Sequence, residues 1–303
     1  MKTQQNQHDN LSIVIVDSGM GGLSICADIA NGFTDRRSFD QVDLTYFNAW
    51  PEQNRGYNSL PDTAERIRVF NAALVAIEKL NPDLILIACN TLSILYPQTP
   101  FSGTTDVPVV GIVDFGVQMV YEHMVANPDS QAIILGTLTT VTSETHKKGL
   151  IEKGIAPERI IGQPCDQLAT RIESGPGEEA VGQMMDGFLT EAAGKIARNN
   201  APVYAVFCCT HFGYAWDLFD HWLAHHIGDN VTILNPNTAM SSHVLDQYPD
   251  RRVAETNVTL TVLSRITWDD DKVSAISGAL STVSPLTAEA LKNYRQDPEL
   301  FTF

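Results

Sequence analysis

The sequence lacks the features that mark several large classes of protein. No apolar run approaches the roughly 18 residues that span a bilayer, and the polar start MKTQQNQHDN has no apolar core of a signal peptide. The five cysteines are odd in number and do not have the spacing of a disulfide framework. We therefore expect a cytoplasmic protein with reduced thiols and no membrane partner.

Positive charge and cofactor motifs are also scarce. The 303 residues include 20 Lys and Arg against 36 Asp and Glu, a net charge of −16, which disfavours nucleic acid as a partner. The glycines after the first apolar run do not have the G-x-G-x-x-G spacing, and no P-loop lysine follows them. No His/Cys spacing matches a zinc site. We predict no cofactor and no metal.

The sequence does contain short apolar runs that alternate with helix-length segments. Nearly continuous apolar strands that alternate with helices are typical of parallel sheets covered on both faces, and we predict an α/β protein. Two such units facing each other would share one cleft. The predicted strands are 11–16, 42–47, 84–88, 107–113, 132–136, 158–162, 203–207 and 231–235, and the clearest predicted helices are 61–80, 178–199 and 214–227. The alternation is less regular after residue 250, where 257–266 could be a strand and 269–280 a capped helix.

Two stretches repeat one pattern, in which an apolar strand is followed by a cysteine and small polar residues. They are LILIACNTLS, which contains Cys89, and YAVFCCTHFG, which contains Cys209. Ligands of parallel sheets bind at the carboxyl ends of strands. We expect the dipole of a following helix to lower the pKa of each thiol from about 8.5. The cysteines predicted to be small buried hydrophobes are Cys26, Cys165 and Cys208.

Other polar residues accompany these strand ends. IVDSGMGGLS places Asp17 and Ser18 before three glycines, which suits a carboxylate-binding loop or a helix cap. LGTLTTVTSETH carries hydroxyl groups that could bind a carboxylate or cap a helix. His211, two residues after Cys209, could tune the thiol or be structural, and the other seven histidines are predicted at the surface.

Two thiols on opposite walls of a cleft permit a chemistry that a single thiol does not. A thiolate removes a proton from one face of a carbon, and the opposite thiol gives a proton to the other face. The carbon is inverted without redox change and without a cofactor. One cysteine with a histidine would instead indicate a thiol hydrolase.

The motifs DSGMGG, ACNT, GTLTTVTS and CCTH, in this order, resemble the PLP-independent glutamate racemases of the aspartate/glutamate racemase superfamily, over residues 11–245. The resemblance implies two pseudo-symmetric three-layer α/β domains with mainly parallel sheets and the active site in the cleft between them. We expect residues 1–113 plus 231–303 to form the first domain and residues 114–230 to form the second. The resemblance also implies an isomerase that needs no cofactor.

The same resemblance implies roles for individual residues. Cys89 and Cys209 correspond to the two catalytic thiols. Asp17 corresponds to the carboxylate that assists the first thiol, and His211 and Glu173 correspond to the residues that assist the second. The residues that match contacts with the amino and carboxylate groups of the substrate are Ser18, Asn90, Thr91, Thr140 and Thr210.

Two segments depart from the family pattern. The family reads Tyr-Phe-Gly-Asp-Thr and then Pro-Tyr-Gly after the second strand, whereas this chain reads YFNAWPEQNRGYNS at 46–59. Tyr57 would stand for the second tyrosine, with Asn58 in place of the glycine, both as substrate contacts. Arg55 could pair with a distal carboxylate or remain in solvent. The second departure is NPNTA at 235–239, which replaces an Asp-Ser/Thr pair.

The leading hypothesis is a two-base thiol racemase of glutamate. One alternative is a racemase or isomerase of aspartate or another small carboxylic acid in the same superfamily. Another, from a different class, is a catalytically lost homologue that acts by binding. The expected partner is a small-molecule amino-acid substrate, and a homodimer stays open.

Overall fold

A computed structural model of the protein describes residues 10–197, 200–248 and 253–303. The first sheet contains the strands Asn10–Asp17 (β1), Gln41–Asn48 (β2), Leu84–Ile87 (β3), Val109–Gly111 (β4), Asn257–Ser264 (β9) and Arg295–Gln296 (β10). The second contains Gln131–Gly136 (β5), Ile160–Pro164 (β6), Val203–Cys208 (β7) and Val231–Leu234 (β8). The strand orders are β10-β9-β2-β1-β3-β4 and β6-β5-β7-β8, and all pairings in these sheets are parallel. The predicted α/β fold class is confirmed.

Helices cover both faces of each sheet. They are Leu23–Arg36 (α1), Thr63–Glu78 (α2), Asn90–Leu95 (α3), Ile112–Ala126 (α4), Leu138–Thr142 (α5), Thr145–Glu152 (α6), Leu168–Ser174 (α7), Glu179–Ala193 (α8), Trp216–Ile227 (α9), Pro236–Asp246 (α10), Asp270–Ser281 (α11) and Pro285–Lys292 (α12). None of the described helices has the length and hydropathy needed to cross a membrane.

The buried strands explain the nearly continuous apolar runs. Ile13 and Ile15 of β1 pack in the core with α1, α10, α11 and α12, whereas Val14 and Val16 pack in the core with α2 and α3. The second sheet is arranged in the same way, with α7, α8 and α9 on one face and α4 and α6 on the other. Because alternate residues of a strand point to opposite faces, both sets must be apolar.

Side chains mark several helix starts. The Asp62 carboxylate accepts a hydrogen bond from the backbone N–H of Glu65 at the start of α2. Asp269 caps α11 by accepting from the N–H of Asp271. Such caps satisfy backbone donors that the first turn of a helix leaves unpaired. The predicted capped helix at 269–280 is confirmed.

The sheet pairing corrects one sequence assignment. Residues 231–234 were expected to belong to the first domain, but they form β8, whose backbone pairs in parallel with β7 of the second sheet. The chain returns to the first sheet only with α10, which packs against α1. The strand stays with the second sheet because its backbone donors and acceptors are satisfied by β7.

The two halves of the molecule approach closely at Gly21, in the turn between β1 and α1. A Cβ atom at Gly21 would lie 2.2 Å from Oγ1 of Thr210 and 2.7 Å from the backbone nitrogen of His211. The residues from Thr210 onward follow β7 of the second sheet, so a side chain at this position would push the two halves apart.

We therefore predict that Gly21→Ala destabilises the protein by about 1–3 kcal/mol, the cost of overpacking a close contact. The check is thermal unfolding, in which the variant should melt several degrees below the unmodified protein. Gly103→Ala is the matched control, because a Cβ there meets no atom within 4 Å. Equal melting temperatures for the two variants would contradict the close approach.

Candidate active site

A cavity of about 490 Å³ lies where the carboxyl ends of both sheets face each other. This volume is in the range of about 300–1,000 Å³ that is usual for small-molecule sites. The structure places every residue named above for catalysis or substrate contact along its wall. They are Asp17, Ser18, Tyr57, Asn58, Cys89, Asn90, Thr91, Thr140, Glu173, Cys209, Thr210 and His211. Their individual roles stay predictions.

Cys209 begins a chain of polar contacts on the second sheet's side of the cavity. Its Sγ lies 3.6 Å from Nδ1 of His211, whose Nε2 lies 2.8 Å from Oε1 of Glu173. The same carboxylate oxygen accepts a hydrogen bond from the backbone N–H of Met20 at 2.9 Å. Its second oxygen lies 3.4 Å from Nζ of Lys272. The imidazole is therefore held between a sulfur and a buried carboxylate.

These contacts favour a charged pair beneath Cys209. Burial opposes protonation of His211, but its hydrogen bonds with Cys209 and Glu173 outweigh burial and raise its pKa well above the usual value. Burial alone would raise the pKa of Glu173, but the hydrogen bond from His211 and the charge of Lys272 lower it. A cationic imidazole next to a sulfur is an arrangement that stabilises a thiolate.

Cys89 lies in a different environment on the first sheet's side. Its Sγ is 3.2 Å from Oγ of Ser18. Burial, followed by the charge of Asp17, raises the pKa of Cys89 to about 12. The prediction of a lowered pKa at Cys89 is therefore wrong. A helix dipole contributes about 0.3–1 kcal/mol, at most about fivefold in acidity, which burial outweighs. The helix after Cys209 also differs from expectation, because a 3₁₀ turn precedes α9.

Asp17 is fully buried at the end of β1. Its Oδ2 accepts a hydrogen bond from Oγ1 of Thr210 at 2.9 Å, and its Oδ1 accepts from the backbone N–H of Gly19 at 3.0 Å. Burial raises the pKa of Asp17, while the charge of His211 opposes the rise. The two walls thus differ: a carboxyl group stands near Cys89 and a cation near Cys209.

Three threonine hydroxyls form a triangle on the cavity wall. Thr91 Oγ1 lies 3.2 Å from the hydroxyl oxygens of both Thr137 and Thr140, which are 3.0 Å apart. Thr137 was not among the residues predicted from the sequence; its hydroxyl also accepts a hydrogen bond from the N–H of Thr140 at the start of α5. Clustered hydroxyls of this kind can donate to a carboxylate.

The segment 48–59 borders the cavity in part. Trp50 and Asn54 line the cavity, and Asn58 accepts a hydrogen bond from Oγ1 of Thr139 at 2.6 Å. The hydroxyl of Tyr57 is buried without a hydrogen-bond partner among the described residues. Arg55 does not line the cavity; it lies 3.5 Å from a carboxylate oxygen of Glu52 and is half-exposed.

The C-terminal segment adds residues that the sequence analysis missed. Trp268 and Lys272 line the cavity beside the segment 48–59. No local sequence motif marks them, because their place in the cavity depends on the pairing of β9 in the first sheet and on the packing of α11 against that sheet. The departure at 235–239 does not line the cavity, but it contacts a residue that does. Nδ2 of Asn237 donates a hydrogen bond to the backbone oxygen of Thr210 at 3.1 Å.

His146 corrects the expectation that all other histidines lie at the surface. It is 2% exposed, and its Nε2 lies 3.1 Å from Oδ1 of Asn90. Burial lowers its pKa to about 4, so the ring is neutral near pH 7. Within the described ranges, no group of three or more His, Cys, Asp or Glu residues is arranged to hold a metal ion.

We predict that Glu173→Gln lowers the pKa of His211, because the substitution removes the negative charge that holds the proton and leaves only a neutral amide oxygen as acceptor. NMR titration of the His211 ring measures this pKa directly. Glu178→Gln is the matched control, because Glu178 is an exposed glutamate that pairs with Arg171. An unchanged His211 titration in Glu173→Gln would show that the carboxylate does not set the charge of the imidazole.

Comparison with known proteins gives consistent relatives, although no protein-family model matches the chain. A glutamate racemase of Campylobacter jejuni is 25% identical over 231 residues, which are 76% of this chain and 83% of that protein. The superposition on the crystal structure of a glutamate racemase from this species covers 94% of this chain and 100% of the racemase chain, with a TM-score of 0.64 and 19% identity.

A glutamate racemase of Francisella tularensis, solved with D-glutamate, has a TM-score of 0.65 and 18% identity. This superposition covers 90% of this chain and 94% of the Francisella chain. Structural similarity at this identity shows the fold. The chain is therefore similar to the glutamate racemases in its fold and, over about three quarters of its length, in its sequence.

Proposed function

We propose that the protein is a cofactor-independent racemase of glutamate or a closely related acidic amino acid. The observation that carries the proposal is the pair Cys89 and Cys209, which end strands of different sheets and line one cavity. Sequence relatives named glutamate racemase and the D-glutamate complex of the Francisella enzyme support this substrate. A cytoplasmic location, a homodimer and the domain assignment of all residues other than 231–234 stay predictions from the sequence.

The difference between the two walls suits a two-base reaction. The Cys209 thiolate takes the proton from Cα, so an S–H bond forms while the C–H electron pair stays on the substrate as a carbanion. The Cys89 thiol then gives its proton to the opposite face and becomes the thiolate. The two sulfurs exchange roles for the other enantiomer. A negative charge on Cys209 raises the pKa of Cys89, so one acid and one base are present together.

The neighbours of each sulfur support this assignment. The cation at His211 stabilises the Cys209 thiolate, and Glu173 keeps that cation charged. Asp17 disfavours a second thiolate at Cys89, which keeps that thiol protonated as the acid. The hydroxyl triangle and Asn90 supply the donors for the substrate's α-carboxylate.

We predict that Cys89→Ser and Cys209→Ser each lower racemisation by at least about 10³-fold, because a serine hydroxyl is a far weaker acid than a thiol. Each variant should still exchange the Cα proton with D₂O from one enantiomer only, since one base remains. The measurement is chiral analysis of L- and D-glutamate together with NMR of deuterium uptake.

The matched control is Cys26→Ala, because Cys26 is a buried cysteine of α1 that does not line the cavity. It should retain racemase activity close to that of the unmodified protein. Full racemisation by either serine variant would rule out the two-base mechanism. Absence of racemisation and of proton exchange in the unmodified protein, across acidic and neutral amino acids, would favour a binding protein instead.

Lys272 lines the cavity, and its ammonium group supports a role in binding the second carboxylate of an acidic substrate. We predict that Lys272→Met lowers kcat/KM for glutamate relative to a neutral amino acid by about tenfold or more, the worth of one charge-assisted hydrogen bond. The measurement compares glutamate, aspartate and glutamine in each variant, so it also decides between glutamate and aspartate.

Arg55→Met is the matched control, because Arg55 pairs with Glu52 outside the cavity. This variant should leave the ratio of kcat/KM for glutamate to kcat/KM for a neutral amino acid unchanged. If Lys272 acts only through its ion pair with Glu173, Lys272→Met will lower kcat/KM equally for acidic and neutral substrates. That result would remove Lys272 from substrate recognition.

A further inference from the structure

A buried pair of polar side chains behind the cavity wall has no part in the proton transfer described above. His146 of α6 and Asn90 of α3 are each 2% exposed, and Nε2 of His146 lies 3.1 Å from Oδ1 of Asn90. The remaining polar atoms, Nδ1 of His146 and Nδ2 of Asn90, are buried and have no hydrogen-bond partner among the described residues. Asn90 lines the cavity and His146 does not.

The chemistry of the pair fixes its orientation. An amide oxygen only accepts hydrogen bonds, so Nε2 of His146 must carry the proton. The ring is neutral at pH 7, since burial lowers the pKa of His146 to about 4. Its Nδ1 is then a bare acceptor. In the reversed arrangement, with the Asn90 amide turned over, the unpaired donor would be the N–H on Nδ1 of His146, a residue that does not line the cavity and that a substrate does not reach.

The orientation leaves the Asn90 amide nitrogen as an unpaired donor in the cavity wall. Thr91, the next residue, belongs to the hydroxyl triangle, so the same wall presents hydroxyl groups beside the amide. An unpaired buried donor costs free energy until an acceptor reaches it. A carboxylate, which only accepts, complements this set of donors better than a group that itself donates.

We propose that His146 is a positioning residue: it holds the Asn90 carboxamide so that Nδ2 is the donor offered to the carboxylate of the substrate. The inference rests on the proposed function, because it names how that site holds its acidic amino acid. A contact of this kind is made equally in the ground state and the transition state, so its loss should appear in KM rather than in kcat.

A double-mutant cycle in the full-length protein tests the proposal. His146→Phe keeps the bulk of the ring but removes the donor, and should raise KM for L- and D-glutamate about tenfold while kcat changes less than about threefold. His146→Gln restores an N–H near Nε2 and should recover most of the loss. In an Asn90→Ala background, His146→Phe should have no further effect, because the residue acts through Asn90.

His123→Phe is the matched control. His123 is a half-buried histidine of α4 whose Nδ1 lies 2.8 Å from the backbone oxygen of Met119, away from the cavity. This variant should leave KM unchanged. Additive effects of His146→Phe and Asn90→Ala, or failure of His146→Gln to recover KM, would reduce His146 to a packing role and overturn the inference.

A readout without activity separates this inference from the proposed function. In ¹⁵N NMR spectra of the unmodified protein at pH 7, the His146 ring should be the Nε2–H tautomer, and Asn90→Ala should shift that N–H signal. An Nδ1–H tautomer would overturn the inference even in an active racemase. If the protein neither racemises nor binds glutamate while the Nε2–H tautomer is found, the proposed function fails and the support of Asn90 by His146 stands.

Discussion

The cavity depends on the hydrogen bond from Thr210 to the buried carboxylate of Asp17. Asp17 is the last residue of β1, and Thr210 lies just after β7 of the other sheet, so this 2.9 Å contact fixes one sheet against the other. Glycine at position 21 lets the backbone of one half approach the other, and Glu173 accepts a hydrogen bond from Met20 in the same turn. The turn between β1 and α1 is therefore held from both sides. The place of each sulfur on the cavity wall follows from these contacts.

The same turn also makes the two walls electrostatically different. The fold repeats a parallel sheet with a cysteine at a strand end, yet Asp17 near Cys89 and His211 near Cys209 have opposite charge preferences. Two equal sites would share one proton without preference for either sulfur, because the first thiolate disfavours a second one. Burial strengthens the difference, because charges interact more strongly where water is excluded. Under the proposed function, the asymmetry thus decides which of the two sulfurs holds the proton before the reaction.

Sequence predicted the fold and most of the cavity wall because both follow from local patterns. Polar residues after apolar strands meet at the carboxyl edge of a parallel sheet, so Asp17 and Cys89 could be placed together without coordinates. The pKa of Cys89 could not be predicted, because it depends on burial and on a charge from another strand. His146 and Lys272 also escaped notice. Each lies on a helix whose sequence shows only its own periodicity, while its partner, Asn90 or Glu173, is distant in the chain.

Under the proposed function, the residues that act on Cα and the residues of the distal wall, which faces the substrate side chain, come from different segments. The thiols and their partners follow strands near the centre of each sheet, where the backbone is fixed by neighbours on both sides. Trp50 lies in the loop after β2, and Trp268 and Lys272 lie near the start of α11, where insertions and exchanges disturb few backbone hydrogen bonds. The departures at 48–59 therefore change the shape of the distal wall while the two sulfurs keep their positions. A change of substrate side chain requires only such changes at the distal wall, because every α-amino acid presents the same Cα, amino group and carboxylate to the two thiols.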